Sequence, residues 1–363
     1  MLTTVLNAEH QKLGASFTDF GGWSMPVRYG SDLDEHHSVR NSCGLFDISH
    51  MAEIRVSGET AAEFLDYSVV SKISELQVSR AKYTIICNES GKAIDDLIIY
   101  RVADDEFLIV ANAGNRSQVV SALKDRTAGF ENLRLDDESD FWALIALQGP
   151  IAEAVLSRLT SRNLSPEKYY SITSAQIADV DVLLARTGYT GEDGFEIFVP
   201  IEAAAEIWQL LLSQEGVSPC GLACRDTLRL EAGMPLYGHE LTLEISPFEA
   251  NLGKVVRLDK ADFVGRSELA KLSESAPNER LYGLRGEGRR AARADYEIFL
   301  PGGESPIGKV TSGALSPTLG YPIAMAYLKG DLGLEVGSKL EADVRGTRVS
   351  YEVVELPFYK RKR

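Results

Sequence analysis

Cysteine is scarce in this chain. Its four residues, Cys43, Cys87, Cys220 and Cys224, are too few and too scattered for a disulfide framework. Only Cys220 and Cys224 stand four apart, in a segment that reads as helix, and no His or Cys lies near them at zinc-like spacing. They are expected to be two half-buried thiols, and no metal is expected. Among the five histidines, His10, His36, His37, His50 and His239, there is no i, i+4 pair and no Cys/His grouping, and no Gly-x-Ser-x-Gly elbow offers a nucleophile. Hydrolase chemistry loses support, and a structural role is the default for each histidine, including His50 beside Met51. Positive charge is in deficit as well: 38 Lys and Arg stand against 53 Asp and Glu, so the net charge of -15 repels phosphate backbones and argues against nucleic-acid binding. No apolar run approaches the roughly eighteen residues needed to cross a bilayer. The stretch Met1 to His10 lacks a charged segment followed by an apolar one, so a cytoplasmic location is expected.

What is present is ordinary globular material, 44% hydrophobic and 25% charged, in a chain of 363 residues. That length exceeds what one hydrophobic core supports, so two or three cores sharing an interface are expected. Leu6 to Gly14 has helical spacing and runs into Phe17, Phe20, Gly21, Gly22, Trp23 and Pro26, which read as an aromatic, glycine-rich loop packing over something. Asp32 to Asn41 reads as a helix, and Gly44 to Met51 as a turn leading into a strand. Strands are expected at Glu53 to Ser57 and Lys82 to Cys87, with a helix from Glu59 to Val70 between them. Ile94 to Arg101 and Glu106 to Ala111 should form a hairpin around Ala103-Asp104-Asp105, in an antiparallel sheet. Ser117 to Ala128 reads as helix, Ala143 to Gln148 as a buried strand, and Pro150 to Leu159 as a helix opened by proline.

This succession has no regular βαβ repeat, so the fold class is α+β. After Ala261 a charged helical stretch reaches Ser275, and Arg280 to Leu356 is nearly all short strands punctuated by turns such as Pro301-Gly302-Gly303. Such strands must close or stack to hide their edges, which predicts a small antiparallel barrel. The boundary falls near Ser275-Ala276-Pro277, giving regions 1-275 and 276-363.

Three places could carry chemistry. In Ile94 to Tyr100 two carboxylates open an apolar strand, and the period of two puts Asp96 with Ile98 and Tyr100 on one face and Asp95 with Leu97 and Ile99 on the other. Only one acid can then serve a given site; the alternative is that both form a solvated turn. In Arg186 to Phe198, glycines at 188, 191 and 194 permit tight turns or a close approach of backbone to a ligand, without a P-loop or dinucleotide spacing. Glu196 shares a face with Phe198, and a carboxylate among aromatics calls for a partner rich in N-H groups; the alternative is a plain hairpin with an exposed Glu. Arg225 and Arg229, one helical turn apart, could clamp an anion or pair with Asp226 and Glu231.

Together these segments resemble the glycine cleavage T-protein family, in register from Leu6 to the C-terminus. The motifs are Phe20-Gly21-Gly22-Trp23-Ser24-Met25-Pro26, Phe46-Asp47-Ile48-Ser49-His50-Met51, Asp95-Asp96-Leu97, Arg186 to Gly194, and Thr311-Ser312-Gly313 with Ser316 to Gly320. The resemblance implies a cloverleaf: two interleaved mixed α/β subdomains forming a folate-binding region, closed by a C-terminal antiparallel β-barrel. It implies an aminomethyltransferase that moves a methylene carbon from the lipoyl arm of the H-protein to tetrahydrofolate, the one-carbon acceptor. On this resemblance Asp96 is the catalytic acid and Glu196 the pterin-binding carboxylate. Tyr189 and Arg225 line the folate site, Tyr83, Tyr100, Met51 and Asn112 form walls, and Arg293 of the barrel reaches the folate or its glutamate tail. Two related activities stand as alternatives: a folate-dependent demethylase of a small methylated amine or sulfonium compound, and a non-catalytic folate-binding accessory protein for iron-sulfur proteins. The basic tail Pro357 to Arg363 suits either a contact for an acidic H-protein surface or a solvated, frayed terminus.

Overall fold

The computed structural model describes residues 1 to 361 of the chain. Its framework is two sheets and a barrel. The first sheet has five antiparallel strands in the order Arg80–Cys87, Ala93–Ala103, Glu106–Ala111, Ala52–Ser57, Arg134–Asp137. The second has six, ordered Ile172–Ile177, Val180–Ala185, Gly194–Pro200, Trp142–Gln148, Cys43–Asp47, Val217–Pro219, with only the last pair parallel. Cys43–Asp47 belongs to the second sheet although it precedes every strand of the first, so the two units are interleaved along the chain.

Alternation along the strands decides what each sheet face covers. Leu97 and Ile99 join Ile54, Phe107 and Ile109 beneath Phe64 and Leu65 of helix Ala61–Ser68 and Val119 and Leu123 of helix Arg116–Asp125. Phe195 and Ile197 join Ile145 and Leu147 beneath Ile207, Trp208 and Leu211 of helix Ala204–Leu212. The remaining faces close on each other: Tyr100, Leu108 and Val110 meet Phe46, Leu144, Ala146 and Phe198 in a shared central core. Each large apolar side chain taken out of water in these cores contributes about 1.5–3 kcal/mol, so the two sheets hold a fixed separation.

Two local expectations are corrected. The aromatic, glycine-rich stretch is a hairpin, Ser16–Phe20 paired with Trp23–Arg28, whose turn needs the positive φ of Gly21 and Gly22. The first half of the turn expected from Gly44 to Met51 is strand, part of Cys43–Asp47 and buried at every position, and only the residues after it turn into strand Ala52–Ser57. Because Cys43–Asp47 runs inside the second sheet with both faces covered, it carries no alternation for a sequence reading to detect.

The C-terminal strands close into a six-stranded barrel, from Glu279–Gly286 to Thr347–Val354. Glu231, at the end of helix Leu222–Glu231, ties this barrel to the body. Its carboxylate accepts from Ser316 Oγ, from Thr318 N at 3.0 Å and Thr318 Oγ1 at 2.8 Å, and from Arg40 Nη2 at 2.8 Å. The tail folds back over the same place: Tyr359 N donates to Glu231 O at 2.7 Å, and the Arg40 guanidinium lies 4.0 Å above the Tyr359 ring. Arg361 pairs with Asp193 at 3.4 Å, so the tail is not frayed up to that residue. The rest of the basic island, Lys362 and Arg363, lies outside the described residues.

Candidate active site between the two sheets

Asp96 and Asp95 leave strand Ala93–Ala103 on opposite faces, as the period of two requires, yet one side chain joins them. Asn112 follows the last residue of the neighbouring strand, and its Nδ2 donates to Asp96 Oδ1 at 2.8 Å and to Asp95 Oδ1 at 2.8 Å. Asp95 also accepts from Asn112 N at 2.9 Å and Asn115 Nδ2 at 2.6 Å, and is fully buried, which removes the solvated-turn alternative. Asp96 completes its set with Tyr83 Oη at 3.0 Å. Burial raises the proton affinity of both acids, and the neighbouring charge of Asp96 raises that of Asp95 further. The inference that only one acid can serve the site therefore needs amending. Asp96 faces the inter-sheet core, while Asp95 acts on it through Asn112.

Glu196 stands across the central core, flanked in register by Ala185 and Ala146, residues too small to cover it. A partner rich in N-H groups was expected; hydroxyls are found instead. Thr187 Oγ1 donates to Glu196 Oε2 at 2.5 Å, and Tyr100 Oη contacts the same oxygen at 3.4 Å. Burial raises the Glu196 proton affinity, against the Thr187 hydrogen bond and the Arg225 charge. Burial also lowers the proton affinity of Arg225, whose guanidinium lies 4.8 Å above the Tyr189 ring and whose Nη1 is buried without a hydrogen-bond partner. His50 has a buried, unpartnered Nδ1, and burial together with the Arg225 charge brings its pKa down to about 4, against the pull of Asp47, so the ring is neutral. Its ring meets Phe20 of the hairpin edge-on at 5.6 Å.

The two arginines of the helix thus divide. Arg229 is spent on structure, donating to Asp226 at 2.8 Å, Glu240 at 3.0 Å and Ser312 Oγ at 2.7 Å, whereas among the described residues Arg225 makes no such bonds. A shared anion clamp is not what they form. The glycine loop also works differently from the expectation of a ligand-hugging backbone. A Cβ at Gly188 would come within 1.9 Å of Gln148 Oε1, and one at Gly194 within 2.6 Å of Gln148 Nε2. Gln148, fully buried, donates to Thr187 O at 3.0 Å and accepts from Thr190 Oγ1 at 3.0 Å. Gly188 and Gly194 make room for that side chain, Gly191 instead turns with a positive φ against Ala232, and Gln148 in turn fixes Thr187 beneath Glu196.

Of the residues singled out in the sequence, Asp96, Tyr83, Tyr100, Asn112, Glu196, Tyr189 and Arg225 gather here, and Met51 packs against the same central core. The Tyr170 hydroxyl has its proton affinity raised by burial and by Tyr169, Glu196 and Asp96, so both site carboxylates lie within electrostatic reach of one phenol. Arg293 sits apart, exposed on the barrel and donating to Gly313 O at 3.0 Å. Sequence reasoning missed the role of Thr187, although it lies inside the glycine motif, and left His50 as structural. The signal that could have found Thr187 is its hydroxyl type next to a strand carrying an otherwise unpaired carboxylate. The assembled site offers one carboxylate on each sheet, one cation with a free donor, and aromatic walls. That set suits a flat ligand with N-H donors at its edge and a second, reacting nitrogen.

Residues 6–260 match the family profile described as the GCVT N-terminal domain, and residues 279–360 the glycine cleavage T-protein C-terminal barrel domain. The chain is 53% identical to an aminomethyltransferase of Saccharopolyspora erythraea and 51% identical to one of Corynebacterium jeikeium, in both cases over 99% of this chain and 98% of the relative. The crystal structure of glycine cleavage system aminomethyltransferase T from Bartonella henselae superposes with a TM-score of 0.93 at 36% identity, covering 99% of this chain and 98% of that one.

Proposed function

The chain belongs to the glycine cleavage T-protein family, and on that premise we propose how its residues carry out tetrahydrofolate-dependent aminomethyl transfer. The reaction moves the methylene carbon of an aminomethyl group, held on the lipoyl arm of the H-protein, to tetrahydrofolate. Two carbon–nitrogen bonds form to the folate nitrogens, while the bonds from that carbon to the amino nitrogen and to the lipoyl sulfur break. The two protons lost by the folate nitrogens end on ammonia and on the lipoyl thiol.

The observation that carries the assignment of roles is the placement of Asp96 and Glu196 on the inner faces of two different sheets, beside Tyr100 and Phe198 of the shared central core. Glu196 orients the pterin, its two oxygens complementing the paired N-H donors on the pyrimidine edge, and the Thr187 hydrogen bond favours the charged form of that carboxylate against its burial. Arg225 lends its free donor to the ring beside Tyr189. Asp96 takes the reacting end. Steadied by Tyr83 and Asn112, it orients the attacking nitrogen, accepts its proton and stabilises the positive charge that develops at the incoming carbon. Its raised proton affinity suits it to proton uptake near neutral pH better than an ordinary exposed aspartate. Asp95 is a positioning residue, fixing Asn112 from the other face. Met51 lines the wall, and Arg293, exposed on the barrel, would meet a folate glutamate tail with the donors that its Nη1 bond to Gly313 O leaves over.

The lipoylated H-protein is the proposed partner and the cytoplasm the proposed location. The direct test is to mix the purified chain with tetrahydrofolate and aminomethylated H-protein and to follow ammonia. Release is expected, and its absence with an H-protein competent in a parallel assay would sink the reading.

A further inference from the structure

Strand Ala52–Ser57 places Ala52, Ile54 and Val56 under the helices of the first sheet, so Glu53 leaves on the opposite face, toward the core shared with the second sheet. Across the ladder its neighbours are Val110 and then Ile98, the residue between Asp96 and Tyr100 on their common face. Glu53 is 0% exposed, and among the described residues neither Oε1 nor Oε2 has a hydrogen-bond partner. Its backbone is pinned: Glu53 N donates to Ser139 Oγ at 3.0 Å, and Glu53 O accepts from Glu138 N at 2.8 Å.

The charged groups around it are committed elsewhere. Arg55, on the same strand, is bound to Glu138 at 2.7 Å and to Glu106. On the edge strand Asp136 pairs with Arg134 at 2.5 Å. Arg116, from the helix on the far face, is shared between Asp137 at 2.8 Å and Asp140 at 3.0 Å. Asp137, Glu138 and Asp140 therefore act on Glu53 against the single nearby charge of Arg116, and strand Trp142–Gln148 across the core brings no titratable side chain. A carboxylate without a donor in such a place is costly, and burial above all raises the Glu53 proton affinity well beyond the ordinary carboxylate range. Asp96 faces the same core but has two donors, Tyr83 and Asn112. One acid is furnished for its charged form and the other is not.

We propose that Glu53 is a built-in pH gate: a neutral acid that seals the core between the sheets, whose ionisation as pH rises brings charge and water between them and ends activity. Asp96 has to lose its proton to work and Glu53 has to keep its own, so the two acids set opposite limbs of the activity profile. The activity part rests on the reading of the chain as an aminomethyltransferase; the stability part does not. In the unfolded chain Glu53 ionises near 4.5, whereas the folded chain holds the proton to higher pH. The folded state then binds more protons over that interval, and stability falls as pH rises through it.

The test compares the full-length parent with Glu53→Gln, which keeps the shape and cannot ionise, from mildly acid to alkaline pH. Asp95, Asp96 and Glu196 titrate in both proteins, so the difference isolates Glu53. The thermal midpoint of the variant should exceed that of the parent by a margin that widens as pH rises. The alkaline limb of kcat/KM with aminomethylated H-protein should move up by about one pH unit or more, with kcat/KM at the optimum unchanged. The infrared spectrum of the folded parent at neutral pH should contain a protonated-carboxyl C=O band that the variant lacks, and Glu53→Leu serves for the same comparison if the amide does not fold. Parallel midpoints, or an infrared band that survives the substitution, would overturn the proposal. An alkaline limb that stays in place while the midpoints diverge would also overturn it, by separating Glu53 from activity. Absence of ammonia release from the unaltered chain would instead remove the aminomethyltransferase reading, and the midpoints and the infrared band would still decide whether Glu53 is held neutral.

Discussion

At the residue scale the site sets a buried acid, Glu196, opposite a partly exposed one, Asp96, and the surroundings oppose the charge of both. Replacing Asp96 by Asn keeps the shape and removes the proton acceptor; turnover is expected to fall by about 10²–10⁴, with tetrahydrofolate binding little changed by calorimetry. Unchanged turnover would take the role away from Asp96. Burial raises the proton affinity of Asp96 and Glu196, and both are needed ionised, so the acid limb of kcat/KM should lie above the ordinary carboxylate range of about 4. Thr187 supplies a hydrogen bond that favours the charged form of Glu196. Thr187→Val therefore raises that proton affinity, and the acid limb for tetrahydrofolate should move to higher pH; a pH profile that stays put would exclude Thr187 from this part. The division of the two carboxylates was legible from the strand period alone. Their connection through Asn112 was not, because it depends on which residue follows the end of the neighbouring strand.

At the scale of elements, the hairpin of Ala93–Ala103 and Glu106–Ala111 could be read from the sequence because each strand alternates and the turn between them is polar. Cys43–Asp47 could not, since a strand covered on both faces has no period to read. The glycine loop was legible as glycine-rich and misread as to cause: Gly188 and Gly194 answer to the Gln148 side chain, which lies some forty residues earlier in the chain. Gly188→Ala should thus destabilise the fold by about 1–3 kcal/mol, as overpacking of a tight core does, and displace Thr187. Urea unfolding measures the first effect and the tetrahydrofolate KM the second. A variant as stable as the parent would mean that Gln148 has room to move.

At the scale of the whole molecule, Glu231 joins body, barrel and tail. Burial works against its charge, but hydrogen bonds and charge from His36, the Ser316 hydroxyl and Arg40 outweigh it, and the pKa is held down at about 2. A carboxyl depressed on folding contributes stability above its unfolded value, near 4.5, and loses it as pH falls through about 2. The contribution is roughly 3 kcal/mol by linkage. The thermal midpoint of the parent chain should therefore fall more steeply below pH 4.5 than that of Glu231→Gln, which starts lower. Parallel curves would show that the junction is not held by this charge. We further propose that the chain divides at 275/276, as the charged helix Arg266–Glu274 ends there and the first barrel strand begins at Glu279. Limited proteolysis should cut first in the exposed stretch Ser275 to Asn278.

The sequence by itself determined the class of fold, the barrel, the face on which each acid leaves its strand and, through motifs in register, the family. These follow from side-chain period, turn chemistry and residue identity, all of which are local. Only the tertiary structure decided that Asp95 and Asp96 share Asn112, that among the described residues Arg225 Nη1 has no partner while Arg229 is bound, and that Gln148 explains Gly188 and Gly194. Each of those depends on what a buried polar group finds opposite it. That partner comes from another strand or helix, at a distance along the chain that no local pattern encodes.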